Sequence, residues 1–184
     1  MTKRDEIIKL AFDTFYEHGF HATGVDKLLL QSGISKRTLY KYFPTKEDLI
    51  KEAIIFYGQN FFGEMIKNIE AKYKNPTDKI LAIFDMKHKK LKSGDYSGCF
   101  AINARLEFDG KNKKIESQCS QAGSQVQDFI FKLCKEGKYK NPKKLAQQIV
   151  ILLQGATVYA QACRDDKAAS VAKEVAKLLL VNAK

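Results

Sequence analysis

Three prolines and eleven glycines in 184 residues are too few for a collagen-like or low-complexity chain. Cysteine is scarce and scattered. Cys99, Cys119, Cys134 and Cys163 form no Cys-x-x-Cys pair, which argues against a zinc site or a thioredoxin-like motif. No metal or cofactor is expected. The most apolar stretches, IVILL at 149–153 and LLLV at 178–181, fall far short of the roughly 20 residues that a spanning helix requires. The opening MTKRDEIIKLAF lacks the apolar core of a signal peptide. The expectation is a cytoplasmic protein with reduced thiols and no membrane partner. No Glu-x-x-His pair and no nucleophile–base constellation surrounds the three histidines, so no enzyme is expected.

What is present is ordinary globular composition with a basic surplus. Hydrophobic residues make up 45% and charged residues 29%, and the formal net charge is +11. Such a charge favours anionic partners, nucleic acid among them. The excess is unevenly placed, however. Residues 1–48 carry eight basic and seven acidic side chains, whereas residues 67–92 carry eight against three and residues 111–144 nine against three. Net charge alone therefore does not locate a binding surface.

Apolar residues recur at helical spacing throughout, and no segment alternates with the period of a strand. The spacing predicts an all-α chain of about nine helices, near residues 3–18, 25–32, 36–42, 45–73, 77–92, 99–108, 113–136, 142–163 and 167–182. Gly19 is placed to close the first helix and Ser35 to cap the third. Thr45 with Asp48 forms a capping-box pattern at the start of the long fourth helix. Thr77 is a cap candidate for the fifth. Residues 93–98 form a loop.

The chemistry concentrates in the short second and third helices, separated by Ser32-Gly33-Ile34-Ser35. That is helix-turn-helix spacing, in which a glycine lets two helices cross steeply so that the second enters a DNA groove. Lys36, Arg37 and Lys41 lie on the third helix, with Lys46 beyond it, and no acid occurs from 27 to 46. Thr38, Tyr40 and Tyr42 supply hydroxyl groups suited to phosphates and base edges. A solvated helical hairpin with lysines outward would show the same spacing.

Phe20-His21-Ala22-Thr23-Gly24-Val25, the run Ser32 to Phe43 and Lys46-Glu47-Asp48-Leu49 closely resemble the N-terminal DNA-binding domain of the tetracycline-repressor (TetR) family. The resemblance covers about a quarter of the chain. It implies a dimeric transcription regulator, most simply a repressor released from a palindromic double-stranded DNA operator by a small molecule. Residues 1–48 would form the helix-turn-helix domain and residues 49–184 the effector-binding and dimerisation domain. By position, Thr23, Lys36, Thr38, Tyr40, Tyr42 and Lys46 match DNA-contacting positions of the family. Ser35 and Arg37 complete the candidate set, Arg37 standing where the family commonly has glycine.

Further along, Gly98-Cys99-x-x-x-Asn103-x-x-x-Glu107 resembles a segment of one TetR-family branch that borders the effector cavity. The candidate pocket residues are Phe61, Phe62, Met65, Phe84, His88, Cys99, Phe100, Asn103 and Phe129. This set has few polar handles, as suits an apolar or aromatic effector, although stripes of this kind also build plain cores. Cys99 follows a Ser-Gly break, where a helix N-terminus could activate a thiol for redox sensing. Arg105 and Glu107 read as surface or ion-pair groups. The last two helices, rich in small and aliphatic residues, suit a homodimer interface. Two other classes fit the composition: an enzyme or carrier built on a bundle cavity, and a non-specific DNA binder without a palindromic footprint.

Overall fold

The computed structural model describes every residue except Gln31, Gly94 and Asp95. The end of the expected second helix and the middle of the 93–98 loop thus lie partly outside the described residues. Among the described residues there is no strand. The helices are α1 (Lys3–His18), α2 (Val25–Leu29), α3 (Lys36–Tyr42), α4 (Lys46–Tyr57), α5 (Gly63–Lys72), α6 (Pro76–Lys92), α7 (Phe100–Phe108), α8 (Lys113–Glu136), α9 (Pro142–Cys163) and α10 (Ala168–Asn182). A π turn, Gly58–Phe62, follows α4 and precedes α5 without leaving helical backbone, so the expected fourth helix is present with an interruption. Counted that way, nine helices are present among the described residues.

Local sequence explains most helix ends. The Thr2 hydroxyl accepts from the Asp5 amide while the Asp5 carboxylate accepts from the Thr2 amide, a capping box at the start of α1. Thr45 and Asp48 repeat it at α4. Gly19, at a left-handed φ of 80°, closes α1 by donating its amide to the Phe15 carbonyl. The cap of α6 is Asn75, whose side chain accepts from the Thr77 amide, and Pro76 takes the first helical position. Thr77, the expected cap, instead hydrogen-bonds the Tyr139 hydroxyl. Asn beside Pro suits those two positions better than Thr, because proline has no N–H to leave unsatisfied.

The chain divides into two compact units. The first comprises Met1–Asn60 and Phe100–Ala122, the second Phe61–Cys99 and Gly123–Lys184. In the first, α1 packs on α4 and α4 on α7. Its core includes Ile7, Ala11, Phe15, Phe20, Leu49, Ile50, Ala53 and Phe100, all almost wholly buried. In the second, α6, α9 and α10 pack together around Ile80, Phe84, Ile130, Leu133, Ile149, Ala169 and Ala176. None of the four cysteines is in a disulfide. No helix among the described residues is long and apolar enough to cross a membrane.

Candidate nucleic-acid interface

The turn between α2 and α3 is built from its own residues. The Ser32 hydroxyl donates to the Leu29 carbonyl and accepts from the Ile34 amide, holding the chain after α2 at both sides. Gly33 follows the bend at φ 68°, a left-handed conformation that costs glycine nothing and most other residues of the order of a kcal/mol. Ser35 then caps α3 by accepting from the Thr38 amide at 3.1 Å. Leu39 and Phe43, four residues apart and buried, anchor the inner face of α3. That leaves Arg37, Tyr40, Lys41 and Tyr42 exposed on the outer side. Arg4 supports this platform from α1: it pairs with Glu52 at 2.8 Å and lies 5.3 Å over the Phe43 ring.

The candidate contacts do not all reach the surface. Thr23 is fully buried and its hydroxyl donates to the Gly19 carbonyl at 2.7 Å. Its side chain locks the loop after α1 and is not exposed for a DNA contact, contrary to the expectation. Lys46 is half-buried. Its ammonium donates to the Phe20 carbonyl at 2.6 Å and lies 5.9 Å from the Phe15 ring centroid, and burial pulls its pKa below the usual lysine range. It also ties down that loop. Lys36 is exposed but pairs with Asp26 of α2 at 2.7 Å, which raises its pKa. An acid thus offsets part of the basic stretch, Asp26 lying one residue before the acid-free run. Both partners are exposed, so the pair adds little stability. Thr38 is half-buried with its hydroxyl 2.9 Å from that of Ser35.

Sequence reasoning missed a clamp on the same loop. Glu107, on α7 in the same unit, accepts from the Phe20 amide at 3.0 Å and the His21 amide at 2.7 Å. The His21 ring returns a bond through Nε2 to the Glu107 backbone oxygen at 3.0 Å. Phe20 is thus held at its N–H by Glu107 and at its carbonyl by Lys46. Glu107 closes the Gly-Cys-x-x-x-Asn-x-x-x-Glu pattern, which was the available signal. Glu107→Ala should cost about 1.5–3 kcal/mol, the usual range for hydrogen bonds to a charged group. Urea unfolding checks this, and a loss under 0.5 kcal/mol would mean that water replaces the carboxylate without penalty.

The candidate pocket residues fall in different units. Phe100 and Asn103 are on α7 in the first. Phe100 is a core residue, with ring centroids of Phe12 and Phe20 at 4.9 Å and of Tyr57 at 5.6 Å. Phe61, Phe62, Met65, Phe84, His88, Cys99 and Phe129 are in the second. Of these, Met65, Phe84 and Phe129 belong to its buried core. Phe61 and Phe62 meet edge-on at 5.6 Å. His88 bonds the Asp166 carbonyl through Nδ1 at 2.8 Å. Cys99 is half-buried immediately before α7. A cavity of about 390 Å³ in the second unit is lined by Leu91, Tyr96, Ala160, Gln161, Arg164, Asp165 and Asp166, none of them in the expected set.

The sequence profile of the family described as bacterial regulatory proteins, tetR family, matches residues 7–53, the span that runs from α1 through the helix-turn-helix into α4. Over that span the chain carries the DNA-binding segment of the TetR family. It is 30% identical over 118 residues to a fatty acid metabolism regulator protein of Bacillus subtilis, a match covering 63% of this chain and 58% of that one. It is 43% identical over 47 residues to the transcriptional regulator RutR of Escherichia coli, covering 26% of this chain and 22% of that one. These matched stretches span less than two thirds of the curated relatives. Solved TetR-like structures extend the fold likeness to the whole chain. The reduced form of NemR from Escherichia coli aligns with a TM-score of 0.86 at 18% identity, over 97% of both chains. A TetR-family regulator from Cytophaga hutchinsonii aligns at 0.87 and 16% identity, over 98% of this chain and 94% of that one. At such identities the likeness concerns the fold alone.

Proposed function

We propose that this TetR-family regulator is a homodimeric repressor that holds a palindromic operator and releases it when a small apolar or aromatic molecule binds. Residues 1–48 read DNA, and residues 49–184 bind the effector and dimerise through α9 and α10. The protein acts in the cytoplasm. One observation carries the reading: α3 is capped by Ser35 and anchored by Leu39 and Phe43, so Arg37, Tyr40, Lys41 and Tyr42 project together. Two such helices related by a two-fold axis would read half-sites in successive major grooves. Arg37 and Lys41 form no ion pair among the described residues, so both charges are available to DNA. The Lys36 ammonium would exchange Asp26 for a phosphate, at little cost for so exposed a pair.

The test is footprinting and gel shift on the promoter DNA beside the protein's own gene. A palindromic footprint is expected. Arg37→Ala should cost about 1–3 kcal/mol and relax the preference at one base pair of each half-site. Lys41→Ala should weaken all sequences alike and reduce the salt slope by about one per half-site. A footprint that is identical in both variants and wild type would remove α3 as the reading element. Binding without sequence preference would favour a non-specific DNA binder.

A further inference from the structure

We propose that Lys87 is the charge-reading residue of the effector site, and that this site takes an anion carried on an aromatic or similarly apolar body. The proposal rests on the reading of the protein as ligand-responsive, and supplies the polar handle that the sequence-derived pocket set lacked.

Lys87 lies on α6, in the second unit. Its ammonium is 5.4 Å from the ring centroid of Tyr96 and 6.0 Å from that of Phe61, both in the same unit. Phe61 emerges from the π turn, a local irregularity that displaces the side chains after it relative to an unbroken α-helix and is frequent at functional sites. Burial is the main influence on Lys87 and lowers its pKa. The Cys99 thiol opposes that shift, while the nearby Lys90 ammonium adds to it. Among the described residues no carboxylate pairs with Lys87. The other lysines of this unit that form ion pairs do so at the surface: Lys173 with Asp85, Lys132 with Glu70 and Lys177 with Glu174. Asp85, two residues from Lys87 on the same helix, is spent on Lys173.

A desolvated ammonium without a counter-charge is unfavourable, and two ring faces return only part of the lost hydration. An anion entering beside it recovers that cost in a low-dielectric setting, where the attraction is strongest. The rings that border the ammonium are suited to a flat apolar body. The group is therefore poor as core and good as a receptor, and it selects for negative charge on the ligand.

Two fluorescent probes with the same body and different charge provide the test: 8-anilinonaphthalene-1-sulfonate, an anion, and N-phenyl-1-naphthylamine, which is neutral. Both are titrated into the full-length protein and its variants. Lys87→Met should weaken the sulfonate by about tenfold and leave the neutral probe within about twofold. Lys87→Arg should keep sulfonate binding. Lys89→Met, which removes an exposed lysine two residues on, should change neither. Lys87→Met should fold, since it removes an uncompensated charge, and Lys87→Gln replaces it if melting curves show otherwise. Sulfonate affinity unaffected by loss of the Lys87 charge, or reduced equally by Lys89→Met, would overturn the proposal. Saturable binding of the neutral probe in that case would leave the ligand-responsive reading standing. Saturable binding of neither probe would overturn both.

Discussion

Phe100→Ala should destabilise the protein by about 3–5 kcal/mol, the cost typical of emptying a fully buried aromatic site. Phe100 has no exposed surface, and its ring is surrounded by Phe12, Phe20 and Tyr57 at centroid distances of 4.9 to 5.6 Å. The vacated volume cannot collapse easily. Phe20 is fixed through its backbone by Glu107 and Lys46, and Tyr57 sits on α4 in the same core. The control is Leu106→Ala on the same helix. Leu106 is 73% exposed, and its truncation should stay within about 0.5 kcal/mol. Urea unfolding followed by far-ultraviolet circular dichroism measures both. A Phe100→Ala loss near that of Leu106→Ala would return Phe100 to the pocket set, since a ligand-lining ring contributes to affinity more than to stability.

The Phe100 environment illustrates what the sequence made legible and what it did not. Helical period, caps and breakers placed α7, α8 and α9 within a residue of their observed ends, because those signals are local. Ser35, Thr45 with Asp48, and Gly19 act as their positions suggested. Which partner a side chain meets is non-local and was not legible. Phe100 and Phe61 are both aromatic residues at helical spacing, yet one is core in the first unit and the other lies 6.0 Å from the Lys87 ammonium in the second. Thr23, Lys46 and Glu107 converge on the loop after α1, Glu107 from 87 residues beyond Phe20. No spacing rule reveals that convergence. The π turn at Gly58–Phe62 left no trace in the apolar stripe, which runs on across it.

The α9–α10 pair shows the same limit, because both helices are apolar on more than one side and periodicity does not say which side faces in. Ala146, Ile149, Leu153, Ala156 and Ala160 on α9 are buried in the core of their own unit. The outward apolar residues are Ile151, Val158 and Tyr159 on α9, and Val171, Val175, Leu178 and Val181 on α10. On α10 these recur at steps of four, three and three, which makes one stripe. Four of the seven are at least 64% exposed, more apolar surface than isolated exposed residues would give.

From this follows the largest expected effect on DNA binding. Introducing a charge on each helix, Val158→Glu with Leu178→Asp, should leave the fold intact, since neither side chain is part of the core. In the proposed homodimer both would bury unpaired carboxylates, doubled by the two-fold axis, and like charges would face one another. Sedimentation should then report a monomer. Operator affinity should fall by about 10²–10⁴, because two half-sites would no longer be engaged by one tethered pair of recognition helices. Affinity for a single half-site should be unchanged, which separates loss of dimerisation from damage to α3. A variant that remains dimeric and binds the operator as the wild type does would place the interface elsewhere on the chain.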